Sequence, residues 1–188
     1  MSTARVSQFT SVEDYLDGEL DSDIRHEYLG GSVHAMVGGK VAHNTISTNV
    51  VISLGGQLKG QTCQAFGSDM KLRIRDQGPT RFYYPDAMVV CEANPLDDLY
   101  QDQPVVIVEV LSDSTRRIDM GEKQDAYLKI GSLTHYILIE QDSATAVVFE
   151  RGSDGFSRHS FTSLDDTIRI ESLNLTLPLR DVYERVLK

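Results

Sequence analysis

The chain has no apolar run near the roughly 18 residues that a membrane-spanning helix needs. Its start, MSTARVSQFTS, has no signal-peptide core, so the expected location is cytoplasmic, with no membrane partner. Cysteine is scarce. Cys63 and Cys91 lie in apolar or β-like segments and form no spaced cluster, so two small reduced core residues are expected rather than a disulfide. Zinc spacing, a Gly-rich phosphate loop, a nucleophile elbow, internal repeats and low-complexity tracts are all missing. Positive charge is short too: 18 Lys and Arg stand against 28 Asp and Glu, for a formal charge of −10. Phosphate affinity needs a positive surface, which argues against tight non-specific nucleic-acid binding by the monomer but leaves room for a local basic face.

What remains is the size and composition of one ordinary domain spanning residues 1–188. The length suffices for a sizeable core but not for two comfortable ones. Ser11, followed by Glu13 and Asp14, reads as a capped helix start over 11–16. His26–Leu29 and 32–37 read as a hairpin around Gly30 and Gly31. Ile46, Val50, Leu54 and Leu58 recur every fourth residue, one face of a helix over 41–58 that ends at Gly60. Strands are expected over 63–66, 70–75 and 82–91, with a turn at 76–79. In the second of these, Lys71, Arg73 and Arg75 alternate with apolar residues and form a basic face. A helix over 119–130 follows, with Asp119 as its cap and Gly131 beyond its end. A meander over His135–Glu140, 144–151, 156–162 and Thr167–Ile170 comes next, then a helix over 180–187. The strand–helix–strand unit over 105–140 implies a locally parallel crossover in a mixed sheet.

The run Val105-Val106-Ile107-Val108-Glu109-Val110-Leu111 is the centre of the chain. It has the content of a strand buried on both faces, except for Glu109. An ionised carboxylate there is costly unless a positive group pairs with it. Asp86, in Tyr84-Pro85-Asp86-Ala87-Met88-Val89-Val90, repeats the pattern 23 positions earlier. Two carboxylates at neighbouring strand ends suit a hard divalent cation such as Mg²⁺, which polarises a phosphoryl oxygen. Lys123, on the next helix, is placed to reach back over such a site, and Glu27 is a weaker fourth member.

Each residue alone has a plainer meaning: a turn former, an ion-pair partner or a solvated helix face. Only in combination do they indicate a metal site. His43 reads as a helix cap or a substrate contact. Ser112, Ser114, Thr115 and Arg116 form a loop that serves either as hydroxyl and guanidinium donors to phosphate or simply as the cap of the following helix. His26, His34, His135 and His159 have no metal-ligand spacing and read as structural or surface residues.

The blocks Y-P-D-A-M-V-V-C, V-V-I-V-E-V-L-S-D-S-T-R-R and D-M-G-E-K-Q-D-A-Y, with H-E-Y-L-G-G-S-V-H-A-M before them and L-T-L-P-L-R-D-V-Y-E-R-V at the close, carry a family resemblance over nearly the whole chain. The chain resembles the Uma-type (DUF820-like) bacterial family of the PD-(D/E)xK, restriction-endonuclease-like superfamily. The resemblance implies an α/β (α+β) fold: a mixed central β-sheet flanked by helices, with additional antiparallel strands. It implies an endonuclease that hydrolyses DNA phosphodiester bonds with Mg²⁺ or Mn²⁺. The superfamily's acids fall on Asp86 and Glu109, its early acid on Glu27 and its carbonyl ligand on Val110. The lysine usually two residues after the second acid is absent, because that position is Leu111, and Lys123 stands in its place. A catalytically weak or inactive nuclease-fold binding or regulatory protein is the alternative, and a phosphoesterase acting on RNA or a small substrate is a third reading. A homodimer is expected because double-strand cutting needs two sites.

Overall fold

Two features of the sequence set the architecture: period-2 alternation on the central strands and a proline that interrupts one of them. The computed structural model describes residues 9–36, 38–75, 78–112 and 116–187. Helix α1 (Val12–Leu20) opens at Ser11, whose hydroxyl accepts the Asp14 N–H at 3.0 Å. The hairpin β1 (His26–Leu29) and β2 (Ser32–Ala35) turns at Gly30 and Gly31, whose φ of 56° and 105° suit glycine. Helix α2 (Val41–Gln57) buries Ile46, Val50 and Leu54, as the four-residue spacing requires.

The strands β3 (Gln64–Gly67), β4 (Lys71–Ile74), β5 (Arg81–Tyr83), β6 (Ala87–Val90), β7 (Tyr100–Gln101) and β8 (Pro104–Leu111) follow. A helical stretch, α3 (residues 116–127), leads to β9 (His135–Glu140), β10 (Ala146–Gly152), β11 (Gly155–Phe161), β12 (Thr167–Ile170) and β13 (Leu175–Pro178). The strands form a five-stranded sheet, β2-β1-β5-β4-β7, a six-stranded sheet, β11-β10-β9-β8-β6-β3, and the pair β12-β13. In the six-stranded sheet β8 runs antiparallel to β6 and parallel to β9, the expected crossover.

Alternation along β8 divides the core. Val106, Val108 and Val110 pack with Ile46, Val50 and Leu54 of α2 and with Leu175 and Leu177. Ile107 and Leu111 pack on the opposite face with Leu72, Ile74, Tyr83 and Tyr127, between the two large sheets. Glu109 is in phase with this second set.

The structure corrects several expectations. The strand expected over 82–91 is two strands, and they belong to different sheets. Pro85 has no N–H to give to a ladder, so the chain leaves one sheet after Tyr83 and enters the other at Ala87. Cys63 and Cys91 are disulfide-bonded rather than reduced. The antiparallel register that sets Gln64 opposite Val90 also sets the two cysteines opposite one another. The basic face of β4 is largely neutralised: Lys71 is buried 4.0 Å from Glu19, and Arg73 makes a two-pronged pair with Asp102 at 2.7 and 2.6 Å. Asp119 is not a helix cap, because helical backbone begins at Arg116. Strand β13 was not expected, and the closing helix is only the turn Leu179–Val182. Of the expected turn at 76–79, residues 76 and 77 lie outside the described residues. No helix is long and apolar enough to cross a membrane.

Candidate active site

The acids and the lysine singled out in the sequence meet where the two large sheets face each other. Glu27 comes from β1, Asp86 from the link between β5 and β6, Glu109 from β8 and Lys123 from α3. Glu109 is 3% exposed, and both of its oxygens are engaged. Oε1 accepts from the Tyr127 hydroxyl at 2.9 Å and from Lys123 Nζ at 3.3 Å, and Oε2 lies 3.4 Å from the Asp86 N–H. Asp86 Oδ2 accepts the Val110 N–H at 2.7 Å, which ties the ends of the two strands together.

Lys123 Nζ sits 3.0 Å from Glu27, 3.3 Å from Glu109 and 3.4 Å from Asp119. A π-helical turn, Asp119–Lys123, places it there. The wider turn holds one more residue than an α turn would, and such bulges are common at functional sites. The buried Tyr136 hydroxyl donates to the Asp119 carbonyl at 2.9 Å and fixes this turn.

Three carboxyl groups thus surround one lysine, and Asp86 lies beside one of them, Glu109. Burial pushes the Glu109 carboxyl well above its usual range. Lys123 opposes that shift, while Asp119, Asp86 and Glu27 reinforce it. Desolvation works against a charge on Lys123, but Glu109, Glu27 and Asp119 outweigh it and raise its pKa. Glu27 Oε1 and Asp119 Oδ1 are buried without a well-directed hydrogen bond.

His43, in the first turn of α2, has Nε2 3.3 Å from Asp86 Oδ2. That contact raises its pKa against the opposing effect of burial, and the Val110 backbone acceptor adds to the rise. The ring therefore faces Asp86 and the Val110 backbone, two groups that the resemblance names as cation ligands. Among the described residues, no three acidic, histidine or cysteine side chains already converge at metal-coordination distance. The donors Lys123, His43 and the Val110 N–H hold the carboxylates instead. The donor set still suits a hard cation, because it is all-oxygen and carries more negative than positive charge.

His43, Asn44, Ser47, Ser68 and Asp86 line a cleft of about 510 Å³ that also reaches Arg25. The N-terminus of α2, which borders it, has no side-chain cap. Ser112 and Arg116 are not among the residues that line this cleft. Ser112 gives its carbonyl to the Arg116 N–H, and Arg116 makes a two-pronged pair with Glu140, so its charge is already neutralised. Ser114 and Thr115 lie outside the described residues.

Sequence reasoning overlooked Asp119, Tyr127 and Tyr83. The first two stand four residues either side of Lys123, a helical stripe visible in D-x-x-x-K-x-x-x-Y. Tyr83 places its ring 5.8 Å from Lys123 Nζ and donates its hydroxyl to Glu122 at 3.0 Å.

A solved structure shares this arrangement of elements. It comes from Anabaena variabilis, is described as "a putative nuclease belonging to DUF820", and superposes with a TM-score of 0.71 at 19% identity, over 92% of this chain and 99% of that one. Two Synechocystis proteins are similar in sequence. Protein slr1290 is 28% identical over 174 residues, 92% of this chain and 90% of its own. Protein sll1609 is 28% identical over 144 residues, 75% of this chain and 80% of its own. The Uma2 family profile, described as "Putative restriction endonuclease", matches residues 12–180, a span that includes Glu27, His43, Asp86, Glu109, Asp119 and Lys123. The chain belongs to the Uma2 family.

Proposed function

We propose that the protein is a divalent-cation-dependent endonuclease acting on DNA, with Asp86, Glu109 and the Val110 carbonyl holding Mg²⁺ or Mn²⁺. The observation that carries this reading is the excess of carboxylates at a largely buried site: Glu27, Glu109 and Asp119 around Lys123, with Asp86 beside Glu109. In a low-dielectric site such an excess calls for a cation. When bound, the ion would polarise a phosphoryl oxygen and offset its developing charge.

The protein's own groups do the rest. The cleft beside Asp86 admits the phosphodiester, and the uncapped N-terminus of α2 attracts its negative charge. His43 and Asn44 flank the phosphate and orient it. Lys123, held in place by its three carboxylates, positions the attacking water and stabilises charge as it appears on the phosphoryl oxygens. Glu109 and Tyr127 keep that lysine end of the site closed to bulk water.

The test is nicking of supercoiled plasmid in Mg²⁺ or Mn²⁺. Glu109→Ala and Asp86→Asn are each expected to lower cleavage by about a thousandfold, with the circular dichroism spectrum retained. Cleavage equal to wild type in both variants would remove the proposal. A second reading, a nuclease-fold binding or regulatory protein, draws on Leu111 standing where the superfamily lysine is usual and on the charge of −10. Calorimetric titration separates the two, because a protein that takes up neither cation at millimolar concentration fits only the second.

A further inference from the structure

Three neighbouring strands carry another cluster of polar side chains, separate from the acid site. His135 on β9 is the register partner of Glu150 on β10, and Glu150 is in turn opposite Ser157 on β11. His159 lies two residues beyond Ser157 and so shares its face of the sheet. His135 Nε2 is 3.7 Å from one Glu150 carboxylate oxygen, and His159 Nε2 is 3.7 Å from the other.

The proton positions single out His135. The Thr134 hydroxyl donates to the Val105 carbonyl at 3.0 Å. With that hydrogen spent on the carbonyl, the 2.9 Å contact with His135 Nδ1 takes the ring's own Nδ1–H, a tautomer inferred from the hydrogen-bond network. A neutral ring with its proton on Nδ1 presents a bare lone pair at Nε2. That atom is buried, has no hydrogen-bond partner and faces a carboxylate oxygen. A lone pair aimed at a carboxylate needs a positive centre between them. Burial lowers the His135 pKa from its ordinary value, against the raising effect of Glu150.

We propose that His135 Nε2, His159 Nε2 and one Glu150 oxygen bind a divalent cation of the zinc class, with water completing the coordination. Two neutral imidazoles and a carboxylate suit Zn²⁺ and its neighbours and are a poor set for Mg²⁺, which prefers oxygen. Each ring nitrogen lies 3.7 Å from a different oxygen of the one Glu150 carboxylate, so turning that carboxylate and drawing in the His159 ring brings one oxygen and both nitrogens around a single ion, at the ligand spacing of tetrahedral zinc, about 3.3 Å. Glu150 and His159 have the freedom to do so, being 41% and 50% exposed, while buried His135 is held by Thr134. His159 Nε2 gives up its 2.9 Å contact with the Ser157 hydroxyl. A cavity of about 210 Å³ beside Glu150 and His159 leaves room for the water, and the charges of Arg169 and Glu171 on its wall offset each other. The ion would fasten the edge strand β11 to β9 across β10.

The test titrates Zn²⁺ calorimetrically, and Co²⁺ by its visible absorption, into chelator-stripped protein without Mg²⁺. One equivalent is expected in wild type and in Asp86→Asn. His159→Ala and Glu150→Gln, which alter half-exposed side chains, are each expected to weaken that equivalent by about a hundredfold. Because His135→Ala risks the fold, His135 is followed in wild type, where Zn²⁺ should shift the imidazole nitrogen resonances of both histidines. The proposal is overturned if wild type binds no zinc, if Asp86→Asn abolishes the equivalent, or if both His159→Ala and Glu150→Gln bind zinc as wild type does.

Discussion

Lys123 is the residue on which the acid site depends, because a single ammonium compensates Glu27, Glu109 and Asp119 at 3.0, 3.3 and 3.4 Å. Breaking a buried ion pair from one side leaves the partner charges uncompensated, at a cost of about 3–5 kcal/mol. Lys123→Met is therefore expected to lose stability of that order in urea denaturation at pH 8 without divalent ions, and saturating Mg²⁺ should restore part of it. A loss below about 1 kcal/mol, the level of an exposed pair, would show that the three carboxylates do not depend on this lysine. The sequence made Glu109 visible, since a charge inside an apolar run is conspicuous wherever the strand lies. Asp86 showed itself by the Pro-Asp step before a second apolar run. Lys123 was less conspicuous, because no spacing links it to Glu109 and only its place on the following helix, together with the family resemblance, pointed to it. Asp119 was misread as a cap because a carboxylate ahead of a helical pattern usually is one.

At the scale of elements, the π turn Asp119–Lys123 aims the lysine. Deleting Gly121, whose Cβ position has nothing within 4 Å, should let the helix close into regular α geometry without a clash. One residue corresponds to about 100° of helix rotation, enough to carry Lys123 away from Glu109. The deletion variant is expected to keep its circular dichroism spectrum and to lose plasmid cleavage by about a hundredfold or more, and cleavage at the wild-type rate would show that the turn does not aim the lysine. Periodic elements were legible: α2 from its four-residue stripe, and the β8–β9 crossover from a strand–helix–strand pattern. The break at Pro85 was hidden because residues on both sides are apolar and read as one strand. The pairing of β12 with β13 was hidden because Leu175, Thr176, Leu177 and Pro178 give too short an alternation to announce a strand.

Across the whole molecule, the Cys63–Cys91 bond closes a loop with a sequence separation of 28. Constraining an unfolded chain over that length stabilises the fold by about 3–4 kcal/mol in the loop-entropy treatment. Wild type is expected to unfold at lower denaturant once a reductant is added, and the double variant Cys63→Ser, Cys91→Ser should show no further response. If reductant leaves the wild-type midpoint unchanged, the bond contributes nothing to stability. Neither the disulfide nor the histidine cluster was legible, for the same reason. Each depends on the register between paired strands, which residue spacing does not encode.

The link at Tyr84, Pro85 and Asp86 has a mechanical consequence. Where Leu72, Ile74 and Tyr83 meet Met88 and Ile107, the two large sheets are joined by apolar contact. At the other end of the same seam the join is ionic: Glu27 of one sheet is tied through Lys123 to Glu109 of the other, and Asp86 lies in the strap between them. The first join is apolar and indifferent to ions, while the second is a clasp of buried charge whose grip answers to any cation that enters it. An ion seated on Asp86 and Glu109 would therefore fasten the two halves of the molecule together as well as prepare it for chemistry.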